Sequence, residues 1–248
     1  MKKIAPLVAA MLLSTGTGTF AQERPSLARF DEDVAVFRRV VRQYCAIVQD
    51  LIKQKEPDVA AREKAMNLLA DAAAKWAVIQ ETYRANPPSE YARDPTFKAR
   101  LQDITNACDD MRKALAAGET RRSLLACGFS CGLFVTLHEE NGLTYAMDKL
   151  FHLRKTGKTA VAVFQTGGLD AVRPLLPALL RQRDDVLLAP LPWPAGDPRN
   201  GAYLAATREL SAALDRLALA ATQGESAQAG AVLAEFMTLV NKPYGLAL

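Results

Sequence analysis

Apolar side chains recur at helical spacing in four successive stretches of the first half of the chain. The stretches cover residues 31–54, 57–84, 95–117 and 124–142. Segments with proline or glycine separate them, because neither residue continues a helix easily. Long amphipathic helices joined by short polar loops predict an all-α fold, with an antiparallel four-helix bundle over residues 22–143 that contains all four cysteines.

The second half of the chain has weaker signals. A helix is predicted at 145–154, a break at 156–158 and another helix at 169–183. The short apolar runs at 159–164 and 185–191 also fit strands, so a strand–helix–strand arrangement is an alternative. We favour helices because the two halves share landmarks.

A constant shift of 103 residues aligns those landmarks. It places Asp94-Pro95 on Asp197-Pro198, and Gly142-Leu143 on Gly245-Leu246. The pattern predicts a tandem duplication, in which residues 144–248 form a second, degenerate helical bundle.

The first 21 residues have the pattern of a secretory signal peptide. Lys2 and Lys3 precede an apolar run from Ile4 to Leu13, and small residues follow up to Ala21. The run is too short to span a bilayer as a helix. Cleavage after Ala21 is therefore predicted, giving a periplasmic or secreted protein without stable membrane insertion.

Charge and motifs exclude several classes of function. Removal of Lys2 and Lys3 from 31 basic side chains leaves 29, against 27 acidic ones. So small an excess gives no reason to expect binding to nucleic acid or anionic lipid. The sequence has no Gly-rich phosphate loop, no Gly-x-Ser-x-Gly and no His-Glu-x-x-His. A non-enzymatic role is favoured, and no catalytic residue is predicted.

Cys127, Cys131 and His138 share one face of the helix predicted at 124–142. Spacings of four and seven residues place them within about 40° of each other. Thiolates and imidazole suit Cu(I) or Zn(II). However, Cys131 and His138 are separated by about 10 Å along the helix. A metal site therefore needs ligands from other helices, for which the candidates are Cys45, Cys108 and Met111.

The same cysteines can form disulfides, which an oxidising compartment favours. Cys127 and Cys131 are about 6 Å apart in a helix, within the span of a disulfide. A bridge between Cys45 and Cys108 would close a 62-residue loop and contribute about 4 kcal/mol. We favour these two bridges, or inert buried thiols, over a metal site. The alternative to disulfides is that all four cysteine sulfurs bind one metal ion in the core of the bundle.

Other side chains have ordinary interpretations. The run from His138 to Glu140 is typical of a helix end at the surface. His152 is typical of a histidine in the C-terminal turn of a helix, where the helix dipole favours its positive charge. Trp76 is predicted to lie in the core, and Trp193 in a rigid Pro-rich loop.

The first half resembles the cytochrome c′-type four-helix bundle. The resemblance lies in a helix that begins at Asp94-Pro95, an alanine-rich stripe, Gly118-Glu119, and a last helix with two spaced cysteines. In that family a Cys-x-x-Cys-His box bonds haem and ligates its iron. Here three residues separate Cys127 from Cys131, and a glycine follows instead of the histidine. The resemblance therefore implies the fold, but not a covalently bound haem.

The sequence thus favours an exported, non-enzymatic binding or accessory protein. Its predicted site is the face of Cys127, Cys131 and His138, with Cu(I), Zn(II) or non-covalent haem as ligand and another periplasmic protein as a partner. Two alternatives stay open. One is a structural or adaptor module with disulfide-bonded cysteines, and the other is a degenerate electron-transfer protein.

Overall fold

The computed structural model describes residues 24–54 and 58–247, and every regular element in these ranges is a helix. The all-α prediction is confirmed, and the strand–helix–strand alternative is wrong. The predicted signal peptide at 1–21 lies outside the described residues. Two 3₁₀ turns, Ser89–Tyr91 and Arg173–Leu175, accompany the α-helices. The α-helices are α1 (Leu27–Lys53), α2 (Val59–Tyr83), α3 (Phe97–Ala116), α4 (Thr120–Glu140), α5 (Ala146–Val172), α6 (Leu176–Leu188), α7 (Arg199–Gln223) and α8 (Ser226–Leu246).

Helices α1 to α4 form a four-helix bundle. Consecutive helices pack against each other, and α1 also packs against α4. Trp76 lies in the core as predicted, with its ring centroid 5.0 Å from that of Phe37 and 5.7 Å from that of Phe134. Its indole Nε1 donates to Thr105 Oγ1 at 3.0 Å. The indole N–H is therefore satisfied inside the apolar core.

Local signals set the ends of these helices. The side chains of Ser26 and Asp58 accept hydrogen bonds from backbone N–H groups three residues later, and so cap α1 and α2. Gly118 follows α3 and has a φ of 81°. This left-handed conformation, which glycine adopts easily, terminates the helix. Helix α4 begins at Thr120, four residues earlier than predicted. None of the helices in the described ranges is long and apolar enough to cross a membrane.

Helices α5 to α8 form a second packed group with its own apolar cluster. The break predicted at 156–158 is wrong, because α5 continues through it. Gly157 is required there by the close approach of α8, since a Cβ atom would lie 1.9 Å from Cε1 of Phe236. The helix is instead interrupted at Gly168, where φ is 62° and ψ is −154°.

The two halves repeat two local structures. The turns at Gly118-Glu119 and Gly224-Glu225 both have a positive-φ glycine, and each glutamate N–H donates at 2.8 Å to the carbonyl five residues earlier. The carboxylates of Asp94 and Asp197 each accept from the N–H two residues later, at 2.7 and 2.9 Å. These similarities are consistent with a tandem duplication, which stays a prediction.

Candidate functional site

Two of the four cysteines form a disulfide, but not a predicted pair. Cys45 of α1 is bonded to Cys127 of α4, with their Cα atoms 6.4 Å apart. Cys108 and Cys131 are free thiols. The predicted bridges Cys127–Cys131 and Cys45–Cys108 are therefore wrong. Spacing along one helix places Cys131 near Cys127, but the packing of α1 on α4 brings Cys45 to the same sulfur.

The residues predicted to bind a metal do not come together. The disulfide already engages two of the six, and Cys108 and Met111 are buried on α3. Within residues 24–54 and 58–247, no group of three His, Cys, Asp or Glu is close enough to hold a metal ion. The geometry therefore gives no support to a Cu(I) or Zn(II) site, and metal binding stays a prediction.

His138 is buried between α4 and α5. Its Nδ1 lies 2.7 Å from Oδ2 of Asp148, and its ring centroid lies 4.4 Å from that of Tyr145. The sequence predicted that the end of α4 lies on the surface. This is correct for Glu139 and Glu140, which are exposed, and wrong for His138, which is buried. The reason is that the start of α5 packs over the end of α4 and covers the imidazole.

The arrangement does not fit a haem bound as in the cytochrome c′ family. The sulfur of Cys127 is bonded to Cys45 and is not available for a thioether bond. Both histidines are held by carboxylates: His138 as described, and His152 through Nε2, 3.1 Å from Oε1 of Glu139. The interpretation of His152 as a C-terminal-turn residue is wrong because α5 continues far beyond it.

A basic cleft lies where the two helical groups meet. It is a cavity of about 150 Å³ between α1, α4, α5 and α8. Cys131 and Tyr244 line it, and no Asp or Glu of the described residues does. Four cationic side chains reach it, namely Arg38, Arg42, Arg154 and Lys158.

Arg38 is the most unusual residue of the basic cleft. It is only 4% exposed, yet neither Nη1 nor Nη2 makes a hydrogen bond of normal geometry within the described chain. Its Cζ lies 5.3 Å from the ring centroid of Phe134, a contact that stabilises the cation without using its donors. Burial by itself lowers the pKa of the guanidinium, but the charges of Tyr244, Cys131 and Asp148 raise that pKa above its usual value, helped by a polar contact with the Tyr244 side chain that falls outside normal hydrogen-bond geometry. Arg38 is therefore a buried cation with unused donors.

Arg42 and Arg154 lie at the Tyr244 end of the cleft. Both donate to Asn241, at 3.3 Å to its backbone oxygen and 2.7 Å to its side-chain oxygen. Their guanidinium carbons lie 5.6 and 5.9 Å from the centroid of the Tyr244 ring. Burial, together with repulsion from Arg154, lowers the pKa of Arg42. Cations that repel each other in a confined space favour the entry of an anion.

An apolar groove continues from the basic cleft along α4 and the first turns of α5. It has a volume of about 770 Å³. Leu125 and Phe129, one helical turn apart, line it and are 74% and 59% exposed. The groove and the cleft are adjoining spaces, because five residues line both: Leu124, Gly128, Phe151, Arg154 and Lys158.

The sequence predictions missed Arg38, although α1 contains a signal for it. Arg38 lies four residues after Val34 and three before Val41, so a helix places it on the buried face. A charged residue on such a face is rarely buried without a partner. Its neighbour Tyr244 could not be inferred, because more than 200 positions separate the two in the chain.

No known protein family, no curated protein and no solved structure matches this chain. The cytochrome c′ resemblance therefore stays a prediction from sequence landmarks. The proposals below depend on the geometry of the basic cleft and the apolar groove.

Proposed function

We propose that this protein is a non-enzymatic binding protein that holds a small anionic group, a carboxylate or a phosphate, in the basic cleft. The observation that carries the proposal is the buried guanidinium of Arg38, whose two terminal nitrogens make no hydrogen bond of normal geometry with the described residues. A buried donor without a partner costs about 1–3 kcal/mol, and more when it is charged. A bound anion supplies the missing acceptors.

The size and chemistry of the basic cleft suit such a ligand. Its volume of about 150 Å³ is well above the roughly 10–15 Å³ that a single water molecule needs, so a small anion fits. The planar guanidinium of Arg38 presents paired donors that match the two oxygens of a carboxylate or phosphate. Arg42, Arg154 and Lys158 add positive charge around the same space.

The disulfide holds the walls of the cleft in place. Arg38 and Cys45 lie seven residues apart on α1, and therefore on the same face of that helix. The bond from Cys45 to Cys127 fixes this face against α4. Cys127 and Cys131, two residues of the predicted metal site, line the cleft. The sequence prediction of export is compatible with a disulfide that stabilises a ligand site.

Calorimetric titration tests the proposal. The purified protein is titrated with phosphate and, separately, with butanoate at low ionic strength, where charge interactions are least screened. Binding is expected for at least one anion, with at least tenfold lower affinity in Arg38→Gln. The matched control is Arg39→Gln, which changes the exposed neighbouring residue and is expected to bind like the wild type.

Two results would overturn the proposal: no binding of either anion, or unchanged affinity in a folded Arg38→Gln variant. If that variant does not fold, Lys158→Gln replaces it, because Lys158 is exposed at the mouth of the cleft. It is expected to weaken binding two- to fivefold, as for a partly screened charge. An unchanged affinity there would contradict the proposal as well.

A further inference from the structure

We infer that the ligand is a long-chain fatty acid, with its carboxylate in the basic cleft and its alkyl chain in the apolar groove. This inference rests on the proposed anion site and adds the class of ligand. It is carried by the continuity of the two cavities, by the apolar lining of the groove and by the sign of the charges around it.

The passage between the two cavities is open at Gly128. This residue lines both spaces, and apart from the backbone of α4 and the two neighbouring residues, no described atom lies within 4 Å of the position that a Cβ atom would occupy. A ligand can therefore extend past α4 from one cavity into the other. Gly132, one turn later, lines the groove, and a Cβ atom there would meet only the ring of Phe151 at 3.7 Å. Two glycines on one helix face give the groove its depth.

The groove has the size and surface of a ligand site. Its volume of about 770 Å³ lies within the usual range of about 300–1,000 Å³ for small-molecule sites. Leu125 and Phe129 leave most of their side chains in contact with water. Single exposed apolar residues are ordinary, whereas neighbouring ones in a concave surface indicate a binding region.

Charges around the groove favour an anionic ligand. Arg121, Lys155 and Lys158 line it. Glu139 is the one carboxylate that lines it in the described part of the chain, and it is already held by Lys149 at 3.3 Å and by His152 at 3.1 Å. An apolar chain with one terminal carboxylate complements this distribution better than a neutral or cationic lipid does.

A chain-length series tests the inference. The purified protein is titrated calorimetrically with butanoate, octanoate and decanoate, each below the concentration at which it forms micelles. Affinity is expected to rise about three- to fourfold for each buried methylene, and so at least a hundredfold from butanoate to decanoate. Decan-1-ol, which lacks the charge, is expected to bind at least tenfold more weakly than decanoate.

Variants separate the groove from the cleft. The double variant Leu125→Ser, Phe129→Ser is expected to bind decanoate at least tenfold more weakly and butanoate as the wild type does. Leu188→Ser is the matched control, because Leu188 is an exposed leucine of α6 that does not line the groove. Arg38→Gln is expected to weaken binding of both acids.

The outcomes distinguish this inference from the proposed function. Equal affinities for butanoate and decanoate would overturn the inference and leave the anion site intact. No binding of any acid would overturn both. Equal binding of decan-1-ol and decanoate would also overturn the inference, because the carboxylate would then have no role. Binding to anionic phospholipid vesicles without affinity for monomeric decanoate would overturn it in favour of a lipid surface.

Discussion

Replacing Arg38 with methionine is expected to stabilise the ligand-free protein while removing the anion site. Arg38 has two buried nitrogens that make no hydrogen bond of normal geometry within residues 24–54 and 58–247, and each costs about 1–3 kcal/mol. Methionine keeps most of the apolar contacts of the arginine stem. The variant loses the contact with Phe134, which is worth up to about 2 kcal/mol when desolvated. The two unmet donors outweigh this contact and the lost attraction of the cation to Tyr244, Cys131 and Asp148, so we expect a net gain of about 2 kcal/mol.

Urea and thermal unfolding measure this gain. For a protein of this size, 2 kcal/mol corresponds to an increase of about 4–8 °C in Tm. Arg216→Met is the matched control, since Arg216 is an exposed residue of α7 and a surface change is expected to stay within about 0.5 kcal/mol. A loss of more than about 1 kcal/mol in Arg38→Met would refute the reasoning, because it would show that the protein itself satisfies the guanidinium.

The addition of ligand should reverse the order of stabilities. An anion at a hundred times its Kd stabilises a protein that binds it by about 2.7 kcal/mol. Wild-type protein is expected to show this increase with saturating decanoate, whereas Arg38→Met is expected to show little or none. Equal stabilisation of both proteins would place the bound anion somewhere other than the basic cleft.

Three further predictions concern the scaffold. The double variant Cys45→Ala, Cys127→Ala is expected to have a free energy of unfolding about 4–5 kcal/mol lower, because the disulfide closes a loop with a sequence separation of 82. Urea unfolding measures this loss, and a reductant should have no further effect on the double variant. Burial raises the pKa of Cys108 to about 12 from 9.0, so the unfolded chain loses this proton first as the pH rises. The free energy of unfolding should therefore fall from pH 9 towards pH 12, by up to about 1.4 kcal/mol per pH unit for this group. Cys108→Ala should make the free energy of unfolding less dependent on pH in the range below the ionisation of the tyrosines. Gly157→Ala should lower the free energy of unfolding by about 1–3 kcal/mol, because the methyl group overlaps a phenyl ring of α8.

The first bundle could be predicted from the sequence because its signals are local. Apolar spacing indicates all four helices, and the ends of α2 and α3 lie within two residues of those predicted, whereas α1 and α4 each begin four residues earlier. The second half was harder to predict. Thr156-Gly157-Lys158 has the composition of a break, but Gly157 lies inside α5 because the ring of Phe236 occupies the space of a side chain. That reason lies in tertiary packing, which local patterns do not report.

The candidate site depended on contacts between distant helices. The face shared by Cys127, Cys131 and His138 could be derived from helix geometry, but its partners could not. Cys127 bonds to α1, whereas His138 meets Asp148 of α5. One face of α4 therefore contributes both to the basic cleft, which Cys127 and Cys131 line, and to the buried contact of His138 with α5.

The position of a bound anion tests the central claim most directly. Crystals soaked in selenate allow the anion to be located from the anomalous scattering of selenium. The account predicts a selenate in the basic cleft, with its oxygens about 2.7–3.2 Å from Nη1 and Nη2 of Arg38. A cleft without selenate at a concentration that saturates the protein in solution, or a guanidinium already bonded to other atoms of the chain, would contradict it.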